Sequence, residues 1–242
     1  MAYPQGALPD SFLVRMHRAG ITHVSLGMES LNADSLRRMG KRTTVGTYRT
    51  AAQRLRAYGF RVAATFVTGF AEDSLEDVLA ISAFADEIGC FTIQVYAHAI
   101  TPGAAETRSA HRAIRGIPRQ FLNGHAVSVL PLRMLPSELQ AALFETAARF
   151  YDQSREPQRR LVGAVYRHVR RSMQPYELAL QRVERENLLP EQWYVPDRTG
   201  SYRLQEEPLQ RVLEDTDRRT RLDLRLAAIF RECCGEDRGV YL

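Results

Sequence analysis

A glycine, a carboxylate and a hydroxyl follow one another closely at the end of an apolar run near the start of the chain. Gly27, Glu29 and Ser30 stand where the run THVSLGMES changes from strand-forming to polar residues. A carboxylate here can accept hydrogen bonds from hydroxyl groups or pair with an ammonium, and a glycine permits close approach to the backbone. A carboxylate that caps a helix or forms a salt bridge explains the same residues, so both interpretations stay open.

Two further strand-like runs end in residue types that could line the same site. Gly69 and Phe70 follow the run RVAATFVT, and a glycine at a strand end lets a flat ring approach the backbone closely. Tyr96 and His98 stand at the end of the run FTIQVYA, and we treat them as candidate substrate-cavity residues. A hydrogen-bonded structural histidine and a half-buried sheet tyrosine are the alternatives.

These runs alternate with amphipathic stretches, which is typical of parallel βαβ units with right-handed crossovers. The strands are predicted at residues 22–26, 61–68 and 91–97, and the helices between them at 45–58 and 75–88, with Ser74 and Asp77 as a capping box. The carboxyl ends of parallel strands meet at one edge of the sheet. We therefore predict that Glu29, Ser30, Gly69 and His98 surround a common crevice.

Three parallel strands are too few for a sheet that stands alone. Parallel sheets are normally covered on both faces, and the first strand would expose a long apolar edge. We expect that strands come from an upstream polypeptide, that a partner covers the edge, or that the N-terminal segment does so.

The chain divides into three predicted regions. Residues 1–110 form the α/β core, residues 111–155 form a loop and a helix that Ser137 caps, and residues 156–242 form a helical appendage. In the appendage, the helices are predicted to break at Pro175, Pro190, Pro196 and Pro208.

Composition limits the class of protein. The chain has 242 residues and a net charge of +5, nearly all the positive charge is arginine, and Lys41 is the only lysine. Acidic residues are interspersed with the arginines, so the charge does not favour a nucleic-acid partner. No apolar run is long enough for a membrane span, and the start of the chain has no signal-peptide pattern, so we expect a cytoplasmic protein. Cys90, Cys233 and Cys234 are not spaced as a disulfide framework or a metal site.

The order of several motifs resembles the second half of a radical S-adenosylmethionine enzyme, in particular the cobalamin-associated branch. The motifs are VSLGMES, LRRMGKRTT with the helix after it, GFRVAATFVTGF, SLEDVL, TPG at Thr101 to Gly103, and NGHAVSVLPLRMLPSELQ with ARFYD. The resemblance covers about residues 20–152. It implies a partial parallel βα barrel, of which this chain holds about three strands.

The resemblance also implies a ligand and a set of cofactors. S-adenosylmethionine would bind at Gly27, Glu29, Ser30, Gly69 and Phe70, and a small-molecule substrate would lie near Tyr96 and His98. The family's Gly-Leu-Pro-Gly-Glu-Thr is Gly-Phe-Ala-Glu-Asp-Ser here, which predicts weak or lost binding of S-adenosylmethionine. The intact family also uses a 4Fe-4S cluster and, in this branch, cobalamin.

The CxxxCxxC loop that ligates the cluster is absent from this sequence. We expect the chain to be inactive by itself and an upstream polypeptide to supply the missing half. The alternative function is a non-catalytic relative that acts as a protein-interaction module through its strand edge and its arginine-rich tail.

Overall fold

A three-stranded parallel sheet forms the first part of the computed structural model, which describes residues 8–100, 112–152, 154 and 156–235. The strands are β1 (His23–Glu29), β2 (Arg61–Thr68) and β3 (Thr92–Ala97), and they lie in the order β1-β2-β3. Both strand pairs are parallel, which confirms the predicted order and direction. β1 continues to Glu29, three residues beyond its predicted end, so Gly27 lies within the strand rather than after it.

Short polar caps begin the helices that connect these strands. The helices are α1 (Asp10–Arg18), α2 (Ala33–Arg38), α3 (Val45–Ala57) and α4 (Leu75–Glu87). The Asn32 side chain caps α2, and the Thr44 hydroxyl caps α3. Ser74 and Asp77 form the predicted capping box at the start of α4.

The two faces of the sheet differ in burial. On one face, Val62, Ala64 and Phe66 of β2 and Ile93 and Val95 of β3 are fully buried in the main core cluster. The opposite face is exposed or half-buried and carries small or polar residues in register across the strands. We call it the open face, and its residues are Ser25, Gly27, Ala63, Thr65, Val67, Thr92, Gln94 and Tyr96.

The two edges of the sheet also differ. At the outer edge of β3, the Tyr151 hydroxyl accepts a hydrogen bond from the Ile93 N–H at 2.9 Å and donates one to the Ile93 carbonyl at 2.7 Å. The Ala97 N–H on the same edge donates to the Gly124 carbonyl at 2.7 Å. No described strand pairs with the outer edge of β1. The sheet is therefore closed at β3 and open at β1.

The second half of the chain is mainly helical, as predicted. Its elements are a short 3-10 turn (Arg119–Phe121), α5 (Pro136–Asp152), α6 (Pro157–Val183) with a π-helical turn (Glu184–Leu188) after it, β4 (Tyr194–Pro196), β5 (Tyr202–Leu204), α7 (Glu206–Glu214) and α8 (Thr216–Cys234). β4 and β5 form an antiparallel hairpin that the sequence did not predict. α5 packs against α4 and beside β3, and α6 and α8 pack on one another.

Two of the predicted helix breaks are wrong. Pro175 lies inside α6, which continues for eight residues beyond it to Val183. Pro208 is the third residue of α7, a position where the backbone N–H has no partner within the helix and proline is tolerated. Within the residues that the structure describes, no helix combines the length and the apolar character that crossing a membrane requires.

The predicted cap at Ser137 is also wrong. Helix α5 already begins at Pro136, and both the N–H and the hydroxyl of Ser137 donate at 2.6 Å to the buried carboxylate of Glu184. Glu138 instead accepts a hydrogen bond at 2.7 Å from the Leu135 N–H just before the helix. The start of α5 is therefore stabilised by a carboxylate from the distant π-helical turn as well as by a local one.

Candidate functional site

The carboxyl ends of the three strands lie at one edge of the sheet, as parallel pairing requires. β1 ends at Glu29 with Ser30 after it, β2 is followed by Gly69 and Phe70, and β3 is followed by His98. The His98 N–H donates to the Thr68 carbonyl at 2.7 Å, which keeps the ends of β2 and β3 together. The structure therefore brings the predicted site residues to one edge.

Glu29 has an uncommon backbone conformation. Its φ of 65° lies in the left-handed region, and the pairing of β1 with β2 shifts between Gly27 and Glu29. The bulge places the Glu29 carboxylate against Gly27, where an added Cβ would lie 3.1 Å from Oε1. Gly27 therefore leaves the space that the Glu29 side chain occupies at the end of the open face.

The Glu29 carboxylate already has one cationic partner. Lys41, the only lysine of the chain, donates from Nζ to Glu29 Oε1 at 2.9 Å. The Glu29 side chain is 23% exposed and that of Lys41 31% exposed, so the pair is accessible to solvent. The salt-bridge interpretation of Glu29 is therefore correct for one oxygen, and the second oxygen stays available to a hydroxyl or ammonium donor.

A buried carboxylate that the sequence analysis did not select organises this edge. Asp73 is 1% exposed, and one of its oxygens accepts from the Ser35 hydroxyl at 2.6 Å and from the Ser30 hydroxyl at 3.3 Å. Its other oxygen accepts from the backbone N–H groups of Gly69 at 2.9 Å and Phe70 at 3.1 Å. The Asp73 carboxylate thus ties the ends of β1 and β2 and the start of α2 together.

Burial raises the pKa of the Asp73 carboxyl to about 6, although the hydrogen bonds from Ser35, Phe70 and Gly69 oppose that rise. The sequence alone gives Asp73 no role beyond its place in the Gly-Phe-Ala-Glu-Asp-Ser segment. Its position four residues after Gly69 was the available signal, because aspartate in a tight turn commonly accepts nearby backbone N–H groups.

The Asp73 cluster defines the roles of Ser30 and Gly69. Ser30 is only 3% exposed, and its hydroxyl donates to Asp73 while it accepts from the Asn32 N–H at 3.0 Å. Gly69 has a φ of 90°, and a Cβ there would lie 2.7 Å from Leu139 Cδ2 of α5. Gly69 is therefore required by the backbone turn and by the packing of α5.

The two candidate substrate-cavity residues contact different aromatic neighbours. The His98 ring is 7% exposed and its centroid lies 4.7 Å from that of Phe70. The Tyr96 ring centroid lies 5.0 Å from that of His125, whose pKa is lowered by burial. The predicted loop at Thr101 to Gly103 lies outside the described residues. His98 thus packs with the β2 loop, and Tyr96 packs with the segment after the core.

A cavity of about 320 Å³ lies beside this edge, between the loop after β2 and the C-terminal hairpin. None of the predicted site residues lines it. It is bounded by Ala71, Glu72, Leu132, Arg133, Arg203, Leu204 and Glu206. This cavity is therefore not the crevice predicted around Glu29, Ser30, Gly69 and His98, and Ser30 and His98 are buried.

The cysteines do not fit an iron-sulfur cluster. Cys90 is buried, lies before β3 at the end of the sheet opposite Glu29, and burial raises the pKa of its thiol to about 12. Cys233 and Cys234 are the last two residues of α8. Among the described residues, no three His, Cys, Asp or Glu side chains are grouped so that they could hold a metal ion.

Comparison with known proteins gives no family for this chain: none of the protein-family models matches it, and no curated protein matches it either.

Proposed function

We propose that this chain is the later part of a radical S-adenosylmethionine enzyme and contributes one side of the binding site for S-adenosylmethionine. The observation that carries the proposal is the half-covered parallel sheet. Its open face is small and polar, its β1 edge has no described neighbour, and its strand ends carry Glu29 beside Gly27. A parallel sheet of this kind is suited to be one part of a larger partial barrel whose interior holds a ligand.

Glu29 has the chemistry that this role needs. Its carboxylate can accept hydrogen bonds from ribose hydroxyls or pair with the ammonium of S-adenosylmethionine, and such charge-assisted bonds are about twice as strong as neutral ones. Lys41 holds the carboxylate in place through one oxygen. Asp73 fixes the Gly69–Phe70 turn by accepting hydrogen bonds from both backbone N–H groups. Its role is to position this turn rather than to contact the ligand.

The proposal gives this chain no cluster chemistry. Cys90 lies before β3, whereas Cys233 and Cys234 are adjacent at the end of α8, and the three thiols are not grouped as a 4Fe-4S cluster requires. We propose that a further polypeptide supplies the cluster ligands, the missing strands and the remaining contacts to S-adenosylmethionine and cobalamin. The small-molecule substrate would then lie over the open face.

Calorimetric titration with S-adenosylmethionine tests the proposal. We expect weak binding by the wild-type chain and a loss of about 1.5 to 3 kcal/mol of binding free energy for Glu29→Ala, the usual value for a hydrogen bond to a charged group. Glu87→Ala is the matched control, because Glu87 also pairs with one cationic side chain, that of Arg49, but lies at the end of α4 nearest the amino ends of the strands. It should bind as the wild type does.

Equal binding by the wild-type and Glu29→Ala chains would show that Glu29 does not contact S-adenosylmethionine. Absence of binding by both would favour the second candidate, a non-catalytic interaction module, which the open edge of β1 supports because a partner strand can pair with it. Release of deoxyadenosine by the chain alone, after anaerobic incubation with iron and sulfide, would contradict the assignment of the cluster ligands to another polypeptide.

A further inference from the structure

One side of helix α6 combines arginines with exposed apolar residues. From residue 157 to residue 176 the chain contains five arginines and one histidine but no aspartate or glutamate. On the inner side of this part of the helix, Tyr166 stacks on Tyr151 and Met173 is buried. The other side is exposed, and we call it the outer face of α6. It consists of residues 160, 161, 164, 165, 167, 168, 171 and 172, which recur at helical spacing.

Two of the three arginines on the outer face have no described partner. The Arg167 guanidinium pairs with Asp152. Arg160 and Arg171 are exposed and form no ion pair with the residues that the structure describes, and the same is true of Arg170 beside them. Their guanidinium groups therefore stay available to an anionic partner.

The acidic residues around α6 do not cancel this charge. Asp86 is already paired with Arg159, at 3.0 Å, on the inner side of the helix. Glu177 lies almost opposite His168 around the helix axis and so does not belong to the outer face. Glu156 is exposed just before the helix, where it is one acidic side chain against the two unpaired arginines of this face.

Leu161 and Val165 stand beside these arginines, one helical turn apart. They are 69% and 55% exposed, and Ala164 between them is exposed as well. Apolar side chains gain free energy from any surroundings that remove them from water. A strip of apolar residues with arginines along its side is typical of a helix that lies in the interface of a membrane.

We propose that the outer face of α6 binds the surface of a membrane that contains anionic phospholipids. The arginines would contact the lipid phosphates, and Leu161 and Val165 would enter the boundary between headgroups and acyl chains. The helix would lie on the membrane and would not cross it. The inference does not depend on the proposed function.

Other occupants fit the outer face less well. A stable protein interface buries more than about 1,200 Å² around an apolar centre, and two exposed apolar side chains supply little of such a centre. A second copy related by a two-fold axis would bring the same arginines opposite one another. A nucleic acid would attract the arginines but would gain little from Leu161 and Val165.

Co-sedimentation of the full chain with lipid vesicles tests the proposal. We expect the chain to bind phosphatidylcholine vesicles with about 30% phosphatidylserine at least about tenfold more tightly than vesicles of phosphatidylcholine alone, because only the first carry a negative surface charge. Raising the salt from about 0.1 M to about 0.5 M should weaken this binding. No binding to the anionic vesicles, or equal binding to both kinds, would overturn the proposal.

Two double variants separate the outer face from the general positive charge of the chain. Arg160→Gln with Arg171→Gln should weaken binding to anionic vesicles about tenfold or more, since each arginine near such a surface adds to the attraction. Arg219→Gln with Arg221→Gln is the matched control, because both arginines are exposed on α8 and form no ion pair with described residues. The start of α8 lies beside the residues that follow α6, so the control should bind nearly as the wild type does. Equal losses in both double variants would contradict the site.

Leu161→Gln with Val165→Gln tests the apolar part of the contact. This double variant should bind anionic vesicles at least about fivefold more weakly, with circular dichroism unchanged, because both side chains are exposed and glutamine is a good helix former. Leu224→Gln, at an exposed position of α8, is the control and should bind as the wild type does. Vesicle binding that the apolar double variant leaves unchanged, together with tight binding of a DNA duplex that the arginine double variant abolishes, would overturn the proposal in favour of a nucleic acid.

Discussion

At the scale of single residues, Asp73 makes the folded state sensitive to pH. Its pKa is raised from the usual 3.8 to about 6, so the folded chain binds this proton more tightly than the unfolded chain does. The stability that this group contributes is therefore complete below about pH 4 and is lost as the pH rises through about 6. The maximum contribution is roughly 2 to 3 kcal/mol.

We predict that Asp73→Asn removes this pH dependence. An asparagine oxygen can accept the bonds from Gly69 and Phe70, and its NH₂ can donate to the two serine hydroxyls, so the variant should fold. Urea unfolding between about pH 4 and about pH 7 should show a loss of stability with pH that is smaller in the variant by roughly 2 to 3 kcal/mol. Equal slopes in both proteins would show that Asp73 does not titrate in this range. Asp73→Ala, which leaves four donors without their acceptor, should be less stable at every pH.

The sequence identified the residues at the strand ends but not their partners. Glu29, Ser30 and Gly69 could be selected because they follow apolar runs, and they do lie at one edge. Asp73 could not be linked to them, because burial and long-range contacts decide its role. The single lysine of an arginine-rich chain was visible in the sequence, yet only the fold shows that it pairs with Glu29.

At the scale of elements, α6 contains a proline where the helix would be more stable without one. Pro175 has no N–H to donate and its ring crowds the preceding turn, but α6 continues through it because Met173, Tyr176 and Leu180 are buried. The packing of the apolar face of α6 thus outweighs the free-energy cost of the missing hydrogen bond and the crowded turn at Pro175. This is why the sequence rule predicted a break that is not present.

We predict that Pro175→Ala raises the free energy of unfolding by about 1 to 3 kcal/mol, since it restores a helical hydrogen bond and removes the steric conflict. Pro208→Ala is the matched control, because Pro208 lies in the first turn of α7 and its nitrogen has no acceptor within the helix. That change should leave stability nearly unchanged or lower it slightly. Denaturant titration of both variants measures these free energies of unfolding. Equal stabilisation by both changes would contradict the explanation that Pro175 costs α6 a hydrogen bond.

In the α/β part of the chain, the periodicity of apolar residues correctly predicted which segments are strands and which are helices. The three strands, their order and the helices after β1 and β2 were predicted within a few residues, because local pattern and tertiary packing agree there. The hairpin of β4 and β5 was missed since each strand has only three residues, too few for a period to be visible. The start of α5 was misassigned because its stabilising carboxylate, that of Glu184, is 47 residues away in sequence.

At the scale of the whole molecule, the two edges of the sheet should exchange hydrogen at different rates. Alternate N–H groups of β1 point away from β2 and have no described strand to accept them, whereas the outward N–H groups of Ile93 and Ala97 have acceptors. We predict fast exchange for the outward amides of β1 and slow exchange for those of β3. Hydrogen-exchange mass spectrometry or NMR measures both, and Tyr151→Phe should increase exchange at Ile93 alone. Strong protection of the outward β1 amides would mean that this edge is already covered.

The Tyr151 hydroxyl limits which edge of this sheet can pair with a strand from another chain. A sheet with two bare edges can add further copies at both ends and grow into a fibre. Here the Tyr151 hydroxyl occupies the N–H and the carbonyl of Ile93, and the Gly124 carbonyl accepts from the Ala97 N–H, which blocks strand pairing at β3, whereas no described strand occupies the outer edge of β1. Edge-to-edge assembly would therefore stop after one addition, either a pair of chains related by a two-fold axis or a complex with one foreign strand.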